Sequence, residues 1–557
     1  MTLLSIAIAQ VNPTVGDFKG NASLMLSARQ GAASQGADLV VFPELSLAGY
    51  PPEDLVLKPS FIDQAYNVVQ ELVAVTRDGG PGMVIGAPWR GEDGRVYNAA
   101  ILIDSGDILG VRYKHHLPNY RVFDEVRLFA QGPVPGPLNF RGVRLGIMVC
   151  EDCWYADVAE TLAETGAEIL IVPNASPFEE GKHEDRMQQA VARVTETGLP
   201  FIYVNQIGGQ DDLIFDGGSF VLNADRSLAL YTATFVPAIA VSTWRRSDNG
   251  DWRCEPGTRL APPDRTEAIY RAATLGVRDY VEKNGAPGVI IGLSGGIDSA
   301  LTAAIAVDAL GPERVRAVMM PSPYTAQQSL DDATALADAL EIRLDSIGIE
   351  PAMDAFGTML DPLIGNMPRD VTEENIQSRS RGLLLMALSN KLGLMVLTTG
   401  NKSEMAVGYA TLYGDMCGAY NPLKDIYKTD VFRLARWRNA HAFNGGTSPA
   451  SPLIPVSIIE RPPTAELRPD QRDEDSLPPY DVLDDILYCL IERDLSAADI
   501  TKRGHDHDTV YRVWRLLDRA EYKRFQAPPG AKVSRRAFGK ERRYPLTNRF
   551  LSMLGDH

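Results

Sequence analysis

Residues 289–307 read VIIGLSGGIDSALTAAIAV. The first four residues are apolar and suit a strand buried on both faces, and the last eleven are a helix former's run with no polar side. Between them lies a turn of Gly and Ser. A strand that passes through such a turn into a helix leaves the first helical N–H groups facing outward, where they suit phosphate. Gly295 and Gly296 let the main chain come close to a ligand. Ser294 and Ser299 add hydroxyl donors, and Asp298 adds a carboxylate suited to a metal ion. The turn lacks the Gly-Lys-Ser/Thr ending of a P-loop and is no dinucleotide fingerprint.

Outward from this turn the same strand-to-helix rhythm repeats. A helix is predicted before it at 266–285, and further strands at RVRAVMMP (314–321), IRLDSIGI (342–349) and LGLMVLTTGN (392–401). This pattern predicts a doubly wound, Rossmann-like parallel sheet. Upstream, LSIAIAQV, ADLVVFPE, GMVIGAP, YNAAILI, VRLGIMVCED, EILIVPNAS and LPFIYVNQIG form a second series of strands, with helical patterns between several of them. The stretch from Arg245 to Glu267, rich in Gly, Pro and charge, separates the two series. Two α/β domains are therefore expected, residues 1–260 and 261–557. Residues 464–480 read as a polar, Pro-rich loop, and a helical, basic tail is expected after them.

Composition narrows the classes. The chain has 557 residues, 45% of them hydrophobic, and a net charge of −17 from 55 basic and 72 acidic side chains. Such a balance argues against a nucleic-acid groove, which wants a basic face. No apolar run reaches the ~20 residues a membrane helix needs. Met1–Asp17 is apolar but lacks a basic n-region and a cleavage site, so it reads as a first strand. Five cysteines, few and odd in number, suggest a reducing, cytoplasmic setting.

The blocks around the Gly-Ser turn carry a resemblance. VIIGLSGGIDSALTAAIAV resembles the pyrophosphate loop of the ATP pyrophosphatase superfamily. MPSPYTAQQSLDDA, TEENIQSRSRGLLLMALSNK, VLTTGNKSEMAVGYATLYGDM, PLKDIYKTDVFRLA and EYKRFQAPPGAKVSRRAFGKERRYPLTN look like its NAD synthetase branch. The resemblance implies ATP held by Gly292, Leu293, Ser294, Gly295, Gly296, Ile297, Asp298, Ser299 and Thr399. It implies Mg²⁺ on Asp298 and Glu404, and deamido-NAD on Asn375, Glu404 and Lys523. Thr464 stands where that branch is expected to carry Ser; a hydroxyl remains.

In the upstream half, LGIMVCEDCWY (145–155) holds a C-x-x-C. Glu44 and Lys114 follow other strands, and a Cys, a Glu and a Lys suffice to hydrolyse an amide: nucleophile, proton carrier and oxyanion partner. Glu151 and Asp152 between the sulfurs disfavour a redox dithiol, and no second cysteine pair completes a zinc site. Cys153 therefore reads as a bystander. The pair His115–His116 is taken as structural, because neighbours on a strand point to opposite faces.

These blocks resemble the nitrilase (carbon–nitrogen hydrolase) superfamily over residues 3–240, with its αββα sandwich and with Glu44, Lys114 and Cys150 as catalytic residues. A nitrilase-like half followed by an NAD-synthetase-like half is similar to the layout of the glutamine-dependent NAD synthetases. That resemblance implies glutamine on Tyr120, Ser176 and Lys182, the last a charge that opposes a helix dipole and so suits a ligand. It also implies an ammonia tunnel and a homo-oligomer, with small-molecule substrates and neither nucleic acid nor membrane as partner. Two rivals remain: an amidotransferase with another acceptor, and a non-catalytic metabolite-binding protein.

Overall fold

The computed structural model describes residues 3–443, 452–469 and 471–550. The chain divides into two compact units, Met1–Pro263 and Asp264–His557.

The first unit holds a seven-stranded sheet in the order Trp252–Cys254, Ala238–Arg246, Leu3–Gln10, Leu39–Val41, Gly82–Arg90, Val96–Asp104, Asp107–Tyr113. A six-stranded sheet runs Leu228–Tyr231, Phe220–Leu222, Phe201–Asn205, Ile169–Asn174, Val143–Ile147, Leu138–Phe140. Strand alternation sorts the side chains. Leu4, Ile6 and Ile8 enter a core shared with Ile147, Ile171 and Val204 of the other sheet. Ala7 and Ala9 turn the opposite way, toward Met25 and Val69 of the helices Phe18–Ser34 and Pro59–Val75. Beyond the six-stranded sheet, Phe201 and Tyr203 meet Val158, Ala190 and Val194 of Ala156–Glu164 and Lys182–Thr197. The layers are helix, sheet, sheet, helix, the αββα sandwich.

Part of the segment read as a separator belongs to this sheet. Ala238–Arg245 pairs antiparallel with the whole of Leu3–Gln10, and Trp252–Cys254 pairs with Trp244–Arg246 in turn. Trp244 and Trp252 are buried between the sheets, so two aromatic anchors outweigh the polar turn between them.

The second unit is built on a four-stranded parallel sheet ordered Arg343–Ser346, Val315–Met319, Val289–Gly292, Met395–Leu397. The chain steps outward twice from Val289–Gly292, then returns to pair on its other edge. That reversal puts a crevice at the carboxyl end of Val289–Gly292, where ligands of such sheets bind. Ile290, Val318 and Val396 pack on Leu385 of the helix Val371–Leu392. The helix Ile297–Leu310 is apolar all round because it lies between the sheet and the helices Arg265–Lys283 and Lys428–Ala440. Later helices form their own core around Met405, Leu483, Leu487, Val513 and Leu517. The tail is helical to Arg524 and irregular over the described residues from Phe525 to Phe550, since Pro528 and Pro529 cannot continue a helix. The loop at 464–480 contains one short 3₁₀ turn, Asp473–Asp475, and its Asp470 lies outside the described residues.

Candidate active sites

In the first unit the strand Val143–Ile147 ends short of Cys150, which opens a 3₁₀ turn, Cys150–Trp154, at a φ of +46°. A non-Gly residue there stores ~1–3 kcal/mol of strain and needs neighbours that fix it. Asp152 supplies the fixing. Its carboxylate accepts the N–H of Val149 (2.9 Å), His115 (3.0 Å) and His116 (2.8 Å), tying the turn to the segment after Lys114. Burial raises the Asp152 carboxyl to about 6.

Lys114 is fully buried and donates to Glu44 Oε1 (2.7 Å) and Glu125 Oε1 (2.8 Å). Glu44 also accepts from Asn98 Nδ2 (2.7 Å) and from the N–H of Ala175 (3.0 Å). Tyr50 donates its hydroxyl to Glu125 at 2.8 Å. One ammonium thus sits between two carboxylates in a buried site. Burial works to lower the Lys114 pKa, but Glu125 and Glu44 more than offset it, so its charge is secure. Burial raises Glu125 to about 7, against Lys114 and with help from Glu44. Burial pushes the Cys150 thiol well up, Glu44 adds to this, and Lys114 opposes it. A resting Cys150 is therefore a thiol that needs a base, and a buried carboxylate in the same field can serve as one.

Tyr120 and Lys182 meet the Cys150–Trp154 turn, and Ser176 follows Ala175, whose N–H meets Glu44. The Tyr120 hydroxyl donates to Glu151 (3.0 Å), next to Cys150. Ser176 follows the strand Ile169–Asn174, is buried, and accepts from Arg186 Nε at 3.1 Å. Lys182 Nζ lies 4.5 Å over the Trp154 ring and 4.0 Å from Glu179, with its pKa lowered by burial.

The thiols separate. Cys150 joins the core between the sheets, whereas Cys153 packs with Met148, Val158 and Leu162 under the outer helices. Both thiols are free, and burial pushes Cys153 up as well.

The reading of His115 and His116 needs correction. The strand ends at Tyr113, so no alternation separates the two rings; they meet edge-on at 4.6 Å and both face Asp157.

In the second unit the Gly-Ser turn borders a cavity of about 300 Å³, at the lower end of the ~300–1,000 Å³ of small-molecule sites. Residues 292–299 and Thr399 line it. Ser294 and Ser299 pair their hydroxyls at 3.1 Å, and Ser299 also donates to the carbonyl of Gly296 at 3.0 Å. Across the cavity Lys428 donates to Asp298 Oδ2 and, at 3.1 Å, to Glu404 Oε1, while Asn401 donates to Asp298 Oδ1 at 2.8 Å. Burial raises Glu404 to about 8, opposed by Lys428 and helped by Asp298. Two carboxylates that converge on one cation, with Asp473 on the same wall, are an oxygen donor set that fits Mg²⁺.

Of the three residues assigned to deamido-NAD, Glu404 lines this cavity. Asn375 and Lys523 instead gather at residues 408–415. Asn375 accepts from the Thr411 hydroxyl at 3.0 Å, and Lys523 donates to the carbonyls of Gly408 and Ala410, both at 2.7 Å. Thr464 keeps the role of a turn hydroxyl, donating to the carbonyl of Gln471 at 2.6 Å.

Comparison with known proteins places both units. The carbon–nitrogen hydrolase family model matches residues 5–253, and the NAD synthase family model residues 269–527. A glutamine-dependent NAD(+) synthetase of Rhodobacter capsulatus is 52% identical, with 98% of each chain covered. This chain belongs to the glutamine-dependent NAD(+) synthetase family. A family member of the same name from Acinetobacter baylyi is 46% identical over 98% of this chain and 99% of its own. The solved glutamine-dependent NAD⁺ synthetase of Acinetobacter baumannii, in complex with ADP, superposes with a TM-score of 0.78 at 43% identity, covering 98% of both chains. That of Cytophaga hutchinsonii, at 21% identity and a TM-score of 0.82, shares the fold over the full length of both.

Within this synthetase family member the sequence reading missed Glu125 and Lys428. Glu125 opens a one-turn helix, Glu125–Leu128, where an acid reads as a dipole partner. Lys428 opens the helix Lys428–Ala440, a position that reads as a solvated charge. The one available hint was that a lysine there opposes the helix dipole, as Lys182 does.

Proposed function

We propose that the chain makes NAD from deamido-NAD, ATP and glutamine, releasing AMP, pyrophosphate and glutamate. The observation that carries this reading is a pair of complete sites in one chain: a buried Cys–Glu–Lys centre in the first unit, and a Gly-Ser turn facing a carboxylate–lysine cluster in the second. The first suits amide hydrolysis. Glu44 takes the Cys150 proton as the sulfur attacks the carboxamide carbon of glutamine, and Lys114 faces the developing oxyanion. Glu44 returns the proton to the departing ammonia, and water then cleaves the thioester to give glutamate. Tyr120, Ser176 and Lys182 hold the substrate's far end.

The second site suits adenylation. The nicotinate carboxylate attacks the α-phosphorus of ATP and pyrophosphate leaves. Ammonia then attacks the activated carbonyl and AMP departs. Residues 292–299 and Thr399 hold the nucleotide, and Asn375, Glu404 and Lys523 the deamido-NAD. Asp298 and Glu404 would hold Mg²⁺, which when bound spreads the charge of the phosphates. Lys428 keeps both carboxylates oriented. The exposed apolar side chains Phe356, Met359, Leu363 and Met367 on one helix and its exit support a homo-oligomer. No helix among the described residues is long and apolar enough to cross a membrane.

The test is a defined assay. Purified protein with ATP, Mg²⁺, deamido-NAD and glutamine is expected to yield NAD, AMP and glutamate in equal amounts. Glutamate without NAD, or AMP formed with a purine acceptor in place of deamido-NAD, would refute the reading.

A further inference from the structure

Two histidines and an aspartate converge beside the Cys150 centre, in a place that the amide chemistry does not use. His115 and His116 directly follow Lys114, and Asp157 lies in the first turn of Ala156–Glu164, just beyond the turn Cys150–Trp154. The Nε2 atom of His116 is 2.9 and 3.0 Å from the two Asp157 oxygens, and that of His115 is 4.0 Å from Oδ2. One ligand atom of each residue lies within 4.8 Å of the other two.

The surroundings prepare these nitrogens for a cation. His115 Nδ1 is 2.7 Å from the carbonyl oxygen of Gly132. A carbonyl only accepts, so Nδ1 carries a proton, and in the neutral ring the lone pair is then on Nε2. Metal-binding histidines are oriented by the same kind of bond. The His116 ring is stacked on Tyr155 at 4.1 Å, which fixes its plane. The main chain of both residues is pinned by Asp152. A plain His–Asp ion pair accounts for one histidine. The second, aimed at the same carboxylate with its far nitrogen already satisfied, is what an ion site has and an ion pair lacks.

We propose that His115, His116 and Asp157 bind a divalent transition-metal ion of the zinc class. Tetrahedral coordination with bonds of ~2.0–2.1 Å sets ligand atoms ~3.3 Å apart. On the shared oxygen Asp157 Oδ2 the separations are 3.0 Å to His116 Nε2 and 4.0 Å to His115 Nε2, which bracket that value, and with all three ligand atoms within 4.8 Å of one another, side-chain rotations that draw the two rings together complete the site. Imidazole with one carboxylate selects zinc, cobalt or nickel over the hard cations that prefer all-oxygen sites. Three protein ligands leave a fourth position for water. The ion would join the segment that carries Lys114 to the helix that follows Cys150. An effect on glutamine hydrolysis therefore rests on the proposed function, but binding does not.

The test uses untagged, chelator-stripped, full-length protein, titrated with Co²⁺ in excess Mg²⁺ so that all-oxygen sites stay filled. The expected result is one equivalent bound, with the visible bands of a four- or five-coordinate nitrogen–oxygen site and displacement by Zn²⁺. His116→Ala and Asp157→Asn should each weaken binding by about tenfold or more. The Asp157 side chain is 52% exposed, so Asp157→Asn keeps the fold and decides the matter if His116→Ala does not. A titration without a saturable visible band overturns the proposal. So does a thiolate charge-transfer band, which would place the ion on a cysteine, or binding left unchanged by Asp157→Asn.

Discussion

Lys114 shares its charge between Glu44 and Glu125, and the second carboxylate decides how free the first is to move protons. Glu125→Gln leaves Lys114 leaning on Glu44 alone, which stiffens the base. Glutamine-dependent NAD formation should fall by ~10²-fold or more, within the range of general acid–base contributions, while ammonia-dependent formation stays normal. A second readout follows from titration. Burial raises Glu125 from 4.5 to about 7, so the folded chain holds this proton more tightly than the unfolded one. The associated stability is present below 4.5 and is lost as pH rises through about 7. Thermal melts from about pH 5 to about 8 should show wild type losing stability relative to Glu125→Gln; a gain would contradict the assignment. In the other unit, Asp298→Asn keeps the shape beside Asn401 but removes a charge from the Lys428 cluster. NAD formation should be lost with either nitrogen source in a protein that melts normally, and retention with ammonia would remove Asp298 from the metal's ligands. Glu44, Lys114 and Cys150 could be proposed from the sequence because each comes shortly after a strand, and the Glu44–Lys114 contact brings two of them together. Glu125 and Lys428 were not, because charged residues at helix starts are common and only three-dimensional convergence marks these two.

At the scale of elements, the Gly-Ser turn owes its shape to one position. Gly295 has a φ of +79°, and a Cβ there would stand 2.3 Å from the carbonyl oxygen of Ser329. Gly296 has an ordinary φ of −89°, and its nearest obstacle is the Ser294 hydroxyl at 3.3 Å. Gly295→Ala should therefore cost ~1–3 kcal/mol and abolish synthesis with both nitrogen sources, while Gly296→Ala should melt close to wild type. Equal melting temperatures for the two variants would show that the turn yields more easily than its geometry implies. The Cys150–Trp154 turn makes the opposite case. Cys153 packs among aliphatic side chains, so Cys153→Ala should leave both activities within a few-fold and release no metal. The central strands of the three larger sheets were legible from alternation and apolar runs, whereas the edge strands of the first unit were not. The edge hairpin around Trp244 and Trp252 was hidden by its polar turn. The histidine pair was misread because the strand stops one residue before Lys114, and a period-two argument fails beyond the last ladder pair.

At the scale of the molecule, each unit has its own core and its own proposed site, so the two reactions should be separable by mutation. In the proposed mechanism Cys150 is needed to liberate ammonia, and adenylated substrate reacts with ammonia of any origin. Cys150→Ala should lower glutamine-dependent NAD formation by several orders of magnitude, as loss of a covalent nucleophile does. Ammonium salt should restore synthesis, and more so as pH rises, because NH₃ is the nucleophile and NH₄⁺ is not. Packing cannot imitate that pattern. Cys150 is buried at a strained φ, and a defect in folding would depress both activities together. Cys150→Ser serves as the second variant, since it preserves the volume and the turn while replacing the sulfur by a far weaker nucleophile. The two variants should share one phenotype: no glutamate released, normal melting, and ammonia-dependent NAD formation near the wild-type rate. Equal loss with glutamine and with ammonia, in protein that melts normally, would mean that the thiol serves the synthetase reaction as well, and the division of labour between the units would fall.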